Sequence, residues 1–309
     1  MTTPILILGA GELGLAVARS LSKNPSLVIT VLLRSSSLSP SAPPQKQKEI
    51  QELTSLGTAI ITGDLASSSI EELSATFRQH ERVISCTGFV AGRGTQIKLA
   101  RAAIAAELKL YVPWQFGVDY DIIGRGSPQD LFDEQLQVRD ILRGQKQTHW
   151  TILSTGMFTS FTFEPSFGVI DLHNGIVRAL GDWETQVTVT AVEDIGEEVA
   201  RLVEAHLTDS ITTSGIFHIA GDTISYGQLA DLVEGFTKRK MKREEWSVDH
   251  LMRELREDPK DEMKKYRAVF AQGRGVAWDV SESRNRREGR KLTSVAEWLK
   301  QHPIETPQT

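Results

Sequence analysis

The first stretch with chemistry in it is Gly9-Ala10-Gly11-Glu12-Leu13-Gly14, set between the apolar run Pro4-Ile5-Leu6-Ile7-Leu8 and the helix-like Leu15–Leu21. This order suits a dinucleotide. Gly9 turns tightly off a strand, Gly11 lets the backbone approach a pyrophosphate, and Gly14 lets helix and strand pack closely. The phosphates would rest on the free N–H groups at the head of the helix, around Glu12 and Leu13. Some twenty positions on, the second strand ends in Arg34-Ser35-Ser36. A carboxylate there would accept from a ribose 2′-OH, whereas an arginine accommodates a 2′-phosphate, so the expected cofactor is NADPH/NADP+. Lys46 and Lys48 are further candidates for that phosphate, although lysines so placed are more often merely solvated. Gly63-Asp64 closes a third strand where an adenine edge can be hydrogen-bonded. Thr87, Gly88 and Phe89 follow a fourth, on the side expected to take the nicotinamide half.

Other chemistries lack their residues. None of the seven histidines forms an H-x-x-x-H, and the single cysteine, Cys86, has no histidine at ligand spacing, so no metal is expected. There is no G-x-S-x-G and no Walker loop. Four residues after Tyr111, Tyr120, Tyr226 and Tyr266 stand Gln115, Gly124, Ala230 and Phe270, so the Tyr-x-x-x-Lys pair of typical short-chain dehydrogenases is absent. A net charge of −5 argues against nucleic acid or an anionic membrane as partner. One cysteine permits no intrachain disulfide, and no apolar run reaches the length of a membrane span, so a cytoplasmic setting is expected.

The elements that must position these residues read as an alternation. Strands are expected at 4–8, 28–33, 59–62, 83–88, 110–112 and 150–154, with helical spacing between them, as at Ile97, Leu99, Ala100, Ala103 and Ile104. That rhythm predicts an α/β fold with a doubly wound parallel sheet. Beyond Thr155 it breaks into an aromatic-rich segment (Phe158, Phe161, Phe163, Phe167) and short strands near 176–178 and 187–189. An amphipathic helix follows from Asp194 to Leu207. His218, flanked by apolar residues, reads as a packed core histidine. Tyr226–Leu299 reads as mostly helical, with the basic run Lys238–Arg243 on a solvated helix face. The expected division is a nucleotide-binding domain at 1–155, with 185–220 returning to it, and a smaller lobe from 156–184 and 221–309.

With these residues in view, the chain resembles the NmrA-like and isoflavone reductase-like branch of atypical short-chain dehydrogenases, its fungal members in particular. The match is carried by the glycine motif, Leu33-Arg34, Gly63-Asp64, Val112-Pro113-Trp114-Gln115-Phe116-Gly117, Phe132-Asp133-Glu134-Gln135, Val138-Arg139 and Glu193-Asp194-Ile195-Gly196. The resemblance implies a Rossmann-type sheet binding NADPH and a C-terminal α+β substrate lobe. It adds Gln115, Gly156 and Phe158 to the cofactor set, and an aromatic or otherwise apolar small molecule as substrate. It also implies a lysine for proton delivery directly after Phe-Asp-Glu, where this chain has Gln135. The asparagine expected near strand six is replaced at Gly156 or Met157.

An amide has no titratable proton near neutral pH, so Gln135 can orient a carbonyl but cannot be its general acid. Three readings follow. The first is a reductase of a secondary metabolite whose group needs hydride and little proton help, a preformed imine or iminium, with ring closure of the product as an extension. The second keeps carbonyl or enone reduction and moves the acid to Asp119, Tyr120, Asp121, Asp133 or a water. The third is a non-catalytic regulator that senses NADP(H).

Overall fold

The structure, a computed structural model, describes residues 2–210 and 213–302, the side chain of Val90 apart. The chain opens with β1 (Thr3–Leu8), α1 (Glu12–Leu21), β2 (Leu27–Leu33), α2 (Pro44–Ser55), β3 (Ala59–Thr62), α3 (Ile70–Phe77), β4 (Arg82–Ser85), α4 (Thr95–Ala105) and β5 (Leu110–Val112). It continues through α5 (Tyr120–Ile123), α6 (Leu131–Arg143), β6 (Thr151–Ser154), β7 (Met157–Phe158), α7 (Thr159–Thr162), β8 (Ile170–Asp171), β9 (Ile176–Leu180) and β10 (Gln186–Thr190). Then come α8 (Val192–Leu207), β11 (Gly215–His218), β12 (Asp222–Ser225), α9 (Tyr226–Thr237), β13 (Lys242–Trp246), α10 (Val248–Glu257), α11 (Glu262–Phe270), α12 (Arg284–Arg287) and α13 (Val295–Gln301).

By its internal contacts the chain divides into two compact units. One comprises Met1–Gln115, Glu134–Leu153 and Ile195–Ile216, the other Phe116–Asp133, Ser154–Asp194 and Phe217–Thr309. Of the stretch 185–220 expected to return to the nucleotide-binding domain, 195–216 lies in the first unit, and 185–194 with 217–220 in the second.

The first unit is built on a parallel sheet in the order β3-β2-β1-β4-β5. The apolar runs become its strands because both faces are covered: Ile5 to Leu8 of the central strand are fully buried. On one face Leu6, Leu8 and Val83 join a core with Leu73 and Phe77 of α3, Leu99 and Ala103 of α4, and Val138 and Leu142 of α6. On the other, α1 packs on β1 and β2. α8 lies so close to α1 that a Cβ on Gly196 would sit 2.4 Å from the Ala16 carbonyl oxygen. The order reverses between β1 and β4, which places the ligand crevice of such a sheet at their carboxyl ends. The sixth strand meets this sheet through one parallel bridge, Tyr111 to Trp150, and β6 pairs with β11.

The second unit holds two three-stranded sheets, β12-β10-β7 and β13-β9-β8. Gly156 has φ +70°, and a Cβ there would fall 2.1 Å from the Thr188 carbonyl oxygen of β10, so only glycine fits. Much of the aromatic segment packs internally: Phe161 lies 4.9 Å from Phe167 between ring centroids, and Phe163 stacks on Trp298 at 5.0 Å. The basic run departs from the helix expected of it. Its end enters β13, parallel to β9, because Lys240 and Arg243 are answered by Glu234 of α9 at 2.9 and 3.2 Å, so the charges are paired across elements. Those two cations pull the Glu234 carboxyl down to about 2, with the Met241 N–H adding to the effect. Among the described residues no helix is long and apolar enough to cross a membrane, and no cluster of His, Cys, Asp and Glu could hold a metal ion.

Candidate functional site

Within the first unit a cavity of about 420 Å³ opens at the carboxyl ends of β1 to β4. Of the expected cofactor residues it is lined by Gly9, Gly11, Arg34, Asp64, Thr87 and Gly88. The three glycines differ as the motif requires. Gly9 has φ +92°, and a Cβ on it would strike the Thr87 hydroxyl at 2.4 Å. A Cβ on Gly14 would meet the Gly9 carbonyl oxygen at 2.3 Å, so this residue lets α1 lie against the strand and does not itself line the cavity. A Cβ on Gly11 would meet nothing within 4 Å, so the chain is bare where it faces the cavity. Gly11 is also the N-cap of α1 and supplies no side-chain cap, so the head of this helix suits an anion. Buried Leu13 and exposed Glu12 bring its first N–H groups but are not among the lining residues.

The cavity lining also carries cations. Arg34, exposed at the end of β2, is joined there by Ser37 and Lys46. The serine on the cavity is therefore Ser37 and not Ser35, because Ser35–Leu38 coil into a 3-10 turn that leaves Ser35 exposed. Lys46, one turn into α2, donates to the Ala10 carbonyl at 3.0 Å and pairs with Glu49, which fixes it beside the glycine loop; Lys48 stays exposed. Asp64 is occupied with its own loop. The Ala66 N–H first, then the Ser67 hydroxyl, hold its carboxyl below the usual range, so it faces the cavity as an anion. Cys86 also lines the cavity, with its thiol pushed up by burial, and is inert as a thiolate.

Three expected cofactor residues have other work in the structure. Gln115 is fully buried, donating from Nε2 to the Gln135 carbonyl at 2.9 Å and accepting from Arg139 Nε at 2.8 Å. Gly156 and Phe158 belong to the second unit, Gly156 as the close-packing residue against Thr188 and Phe158 in β7. Phe89 is half-buried, its ring edge-on to Trp114 at 4.9 Å.

The catalytic candidates fall in different units. Gln135, in the first, is fully buried and donates from Nε2 to the Trp114 carbonyl at 3.1 Å. A carbonyl only accepts, so one N–H of the side-chain NH₂ must face it. Gln135 is not among the residues that line the nucleotide cavity. Asp119, Tyr120 and Asp133 lie in the second unit. Asp119 caps α5, its Oδ1 accepting from the N–H groups of Asp121 and Ile122 at 3.1 and 3.2 Å, while Oδ2 lies 2.9 Å from His218 Nε2. Tyr120 is buried edge-on against Phe132 at 5.0 Å, and Asp133 accepts the Gly126 N–H at 3.0 Å. His218, expected in the core, keeps 31% of its side chain exposed and lies within hydrogen-bond distance of Asp119. No local pattern could show this, since the two residues are 99 apart in sequence.

The comparisons with known proteins agree with this architecture. The solved structure of an isoflavone reductase aligns with a TM-score of 0.77 at 21% identity, covering 97% of this chain and 99% of that one. A complex of AtPrR2 with NADP+ and (+)pinoresinol aligns with a TM-score of 0.76 at 18% identity, covering 97% and 98%. A Gibberella moniliformis protein described as an NmrA-like family domain-containing oxidoreductase is 46% identical over 304 residues, 97% of this chain and 98% of that protein. The model of the NmrA-like family matches residues 1–299, and the chain belongs to that family.

Proposed function

We propose that this protein is an NADPH-dependent reductase of an aromatic or alkaloid-like secondary metabolite, acting on a preformed imine or iminium. The observation that carries the reading is the cavity, which bare glycine backbone at the head of α1 lines together with Arg34, Ser37 and Lys46. Backbone amides suit a pyrophosphate, and the cations in the same lining suit a third phosphate. The fungal relative described as an oxidoreductase, and the AtPrR2 complex with NADP+ and an aromatic ligand, support the same class.

Bound NADPH supplies hydride. The chain's part is to hold the dinucleotide, orient the acceptor and keep water out. The iminium follows from Gln135, which stands where the resemblance implies a lysine and has no titratable proton near neutral pH. A carbonyl reduced to an alkoxide needs a proton, whereas an iminium becomes a neutral amine on hydride addition alone. The second reading, carbonyl or enone reduction, has one observation behind it: the Asp119–His218 pair, an ionisable couple with a partly exposed ring.

The test is NADPH consumption with cyclic imines set against aromatic enones and ketones. Imine turnover well above ketone turnover supports the first reading. Ketone turnover abolished by His218→Gln, with imine turnover intact, supports the second. Tight NADPH binding with no turnover anywhere would leave a dinucleotide-sensing protein and overturn both.

A further inference from the structure

Two consecutive residues of α6, Glu134 and Gln135, reach the segment after β4 through separate chains of contact. The Glu134 carboxylate, 8% exposed, accepts the Gly94 N–H at 2.8 Å and the Gln96 N–H at 2.9 Å, at the head of α4. Gln96, 2% exposed, donates from Nε2 to the carbonyls of Thr87 and Gly88 at 2.9 and 3.2 Å. The other arm starts at Gln135, whose amide holds the Trp114 carbonyl. The Trp114 ring lies so close to Gly88 that a Cβ there would meet its Cζ2 at 2.9 Å, and it meets Phe89 edge-on. Both arms end on Gly88, which lines the nucleotide cavity.

We propose that Glu134, Gln96 and Gln135 are positioning residues that set the Thr87–Phe89 segment for the nicotinamide half of the dinucleotide. This rests on the NADPH reading above. Each residue type matches its task. Two N–H groups need two acceptor oxygens, which a carboxylate has and an amide lacks. Two carbonyls need an NH₂, which Gln96 has and a glutamate would replace with repulsion. The adenosine half would be held elsewhere, at the ends of β2 and β3, so the clamp would act on one end of the cofactor only.

The experiment compares NADPH with adenosine 2′,5′-bisphosphate, which carries the adenosine half alone, by calorimetry on wild type, Gln96→Glu, Glu134→Gln and Gln135→Leu. The near-isosteric changes at 96 and 134 alter hydrogen bonding without opening a cavity, and circular dichroism melting checks each fold. The expected result is about tenfold weaker NADPH binding with bisphosphate binding within about twofold of wild type, the size of one lost buried hydrogen-bond pairing. Equal weakening of both ligands, or no change in either, in the variants that fold would overturn the positioning role. Wild type that binds neither ligand would overturn the NADPH reading itself and the clamp with it.

Discussion

Replacing Arg34 by alanine removes one positive charge from the cavity wall without disturbing the glycine loop. A unit charge about 5 Å from a phosphate dianion in a water-like dielectric is worth about 1.7 kcal/mol, and physiological salt trims this toward 1. A hydrogen bond to a charged group adds a further fraction, so an exposed Arg34 contributes about 1.5 kcal/mol and its loss weakens NADPH about tenfold. NADH, which lacks the extra phosphate, shifts by less than about twofold on the same reasoning. Lys46 shares its charge with Glu49 and the Ala10 carbonyl, so Glu49→Gln releases it and tightens NADPH several-fold, while Lys46→Ala leaves Glu49 to repel the phosphate. Calorimetry at two salt concentrations reads all of this, with the gap between cofactors narrowing at high salt. The reasoning fails if Arg34→Ala weakens NADPH and NADH alike, or changes neither.

Three further outcomes follow from the geometry. Gly156→Ala forces a left-handed backbone and a 2.1 Å contact with Thr188, so urea unfolding should show a loss of about 2 kcal/mol or more; a change below about 0.5 kcal/mol would contradict the packing. Glu234 has a folded value near 2 against 4.5 unfolded, so between these values the unfolded chain binds more protons. Its contribution is therefore present above about pH 4.5 and lost as pH falls toward 2, and Glu234→Gln should flatten urea midpoints across that window. His206 is held below its usual value by burial, with Arg82 and His149 adding to this, so its contribution is lost as pH falls below the ordinary histidine range; His206→Gln should reduce the midpoint shift between pH 7 and 5.

What was legible in the sequence was contiguous or periodic. Gly9, Gly11 and Gly14 differ in role because strand, turn and helix follow one another directly, and the buried parallel strands declared themselves as unbroken apolar runs. Arg34 was found because strand length fixes where β2 ends. Features made by folding were not legible. A 3-10 turn after Arg34 exchanged Ser35 for Ser37, and the pairing of Asp119 with His218 joined residues with no local relation. The basic run ended in a strand because acids on α9 neutralise it, a tertiary effect that charge counting along the chain cannot see. Gln135 was noticed for the lysine it replaces, yet its commitment to the Trp114 carbonyl depended on the path of the loop after β5.

The most direct measurement is hydride tracing with wild-type protein. NADPH carrying two deuterium atoms at the nicotinamide C4 is incubated with a cyclic imine, and the product is examined by mass spectrometry. The account predicts an amine carrying one deuterium at the former imine carbon, formed in step with NADPH loss. NADPH consumed without deuterium in the amine, or bound at saturation without any amine forming across the imine panel, would contradict it.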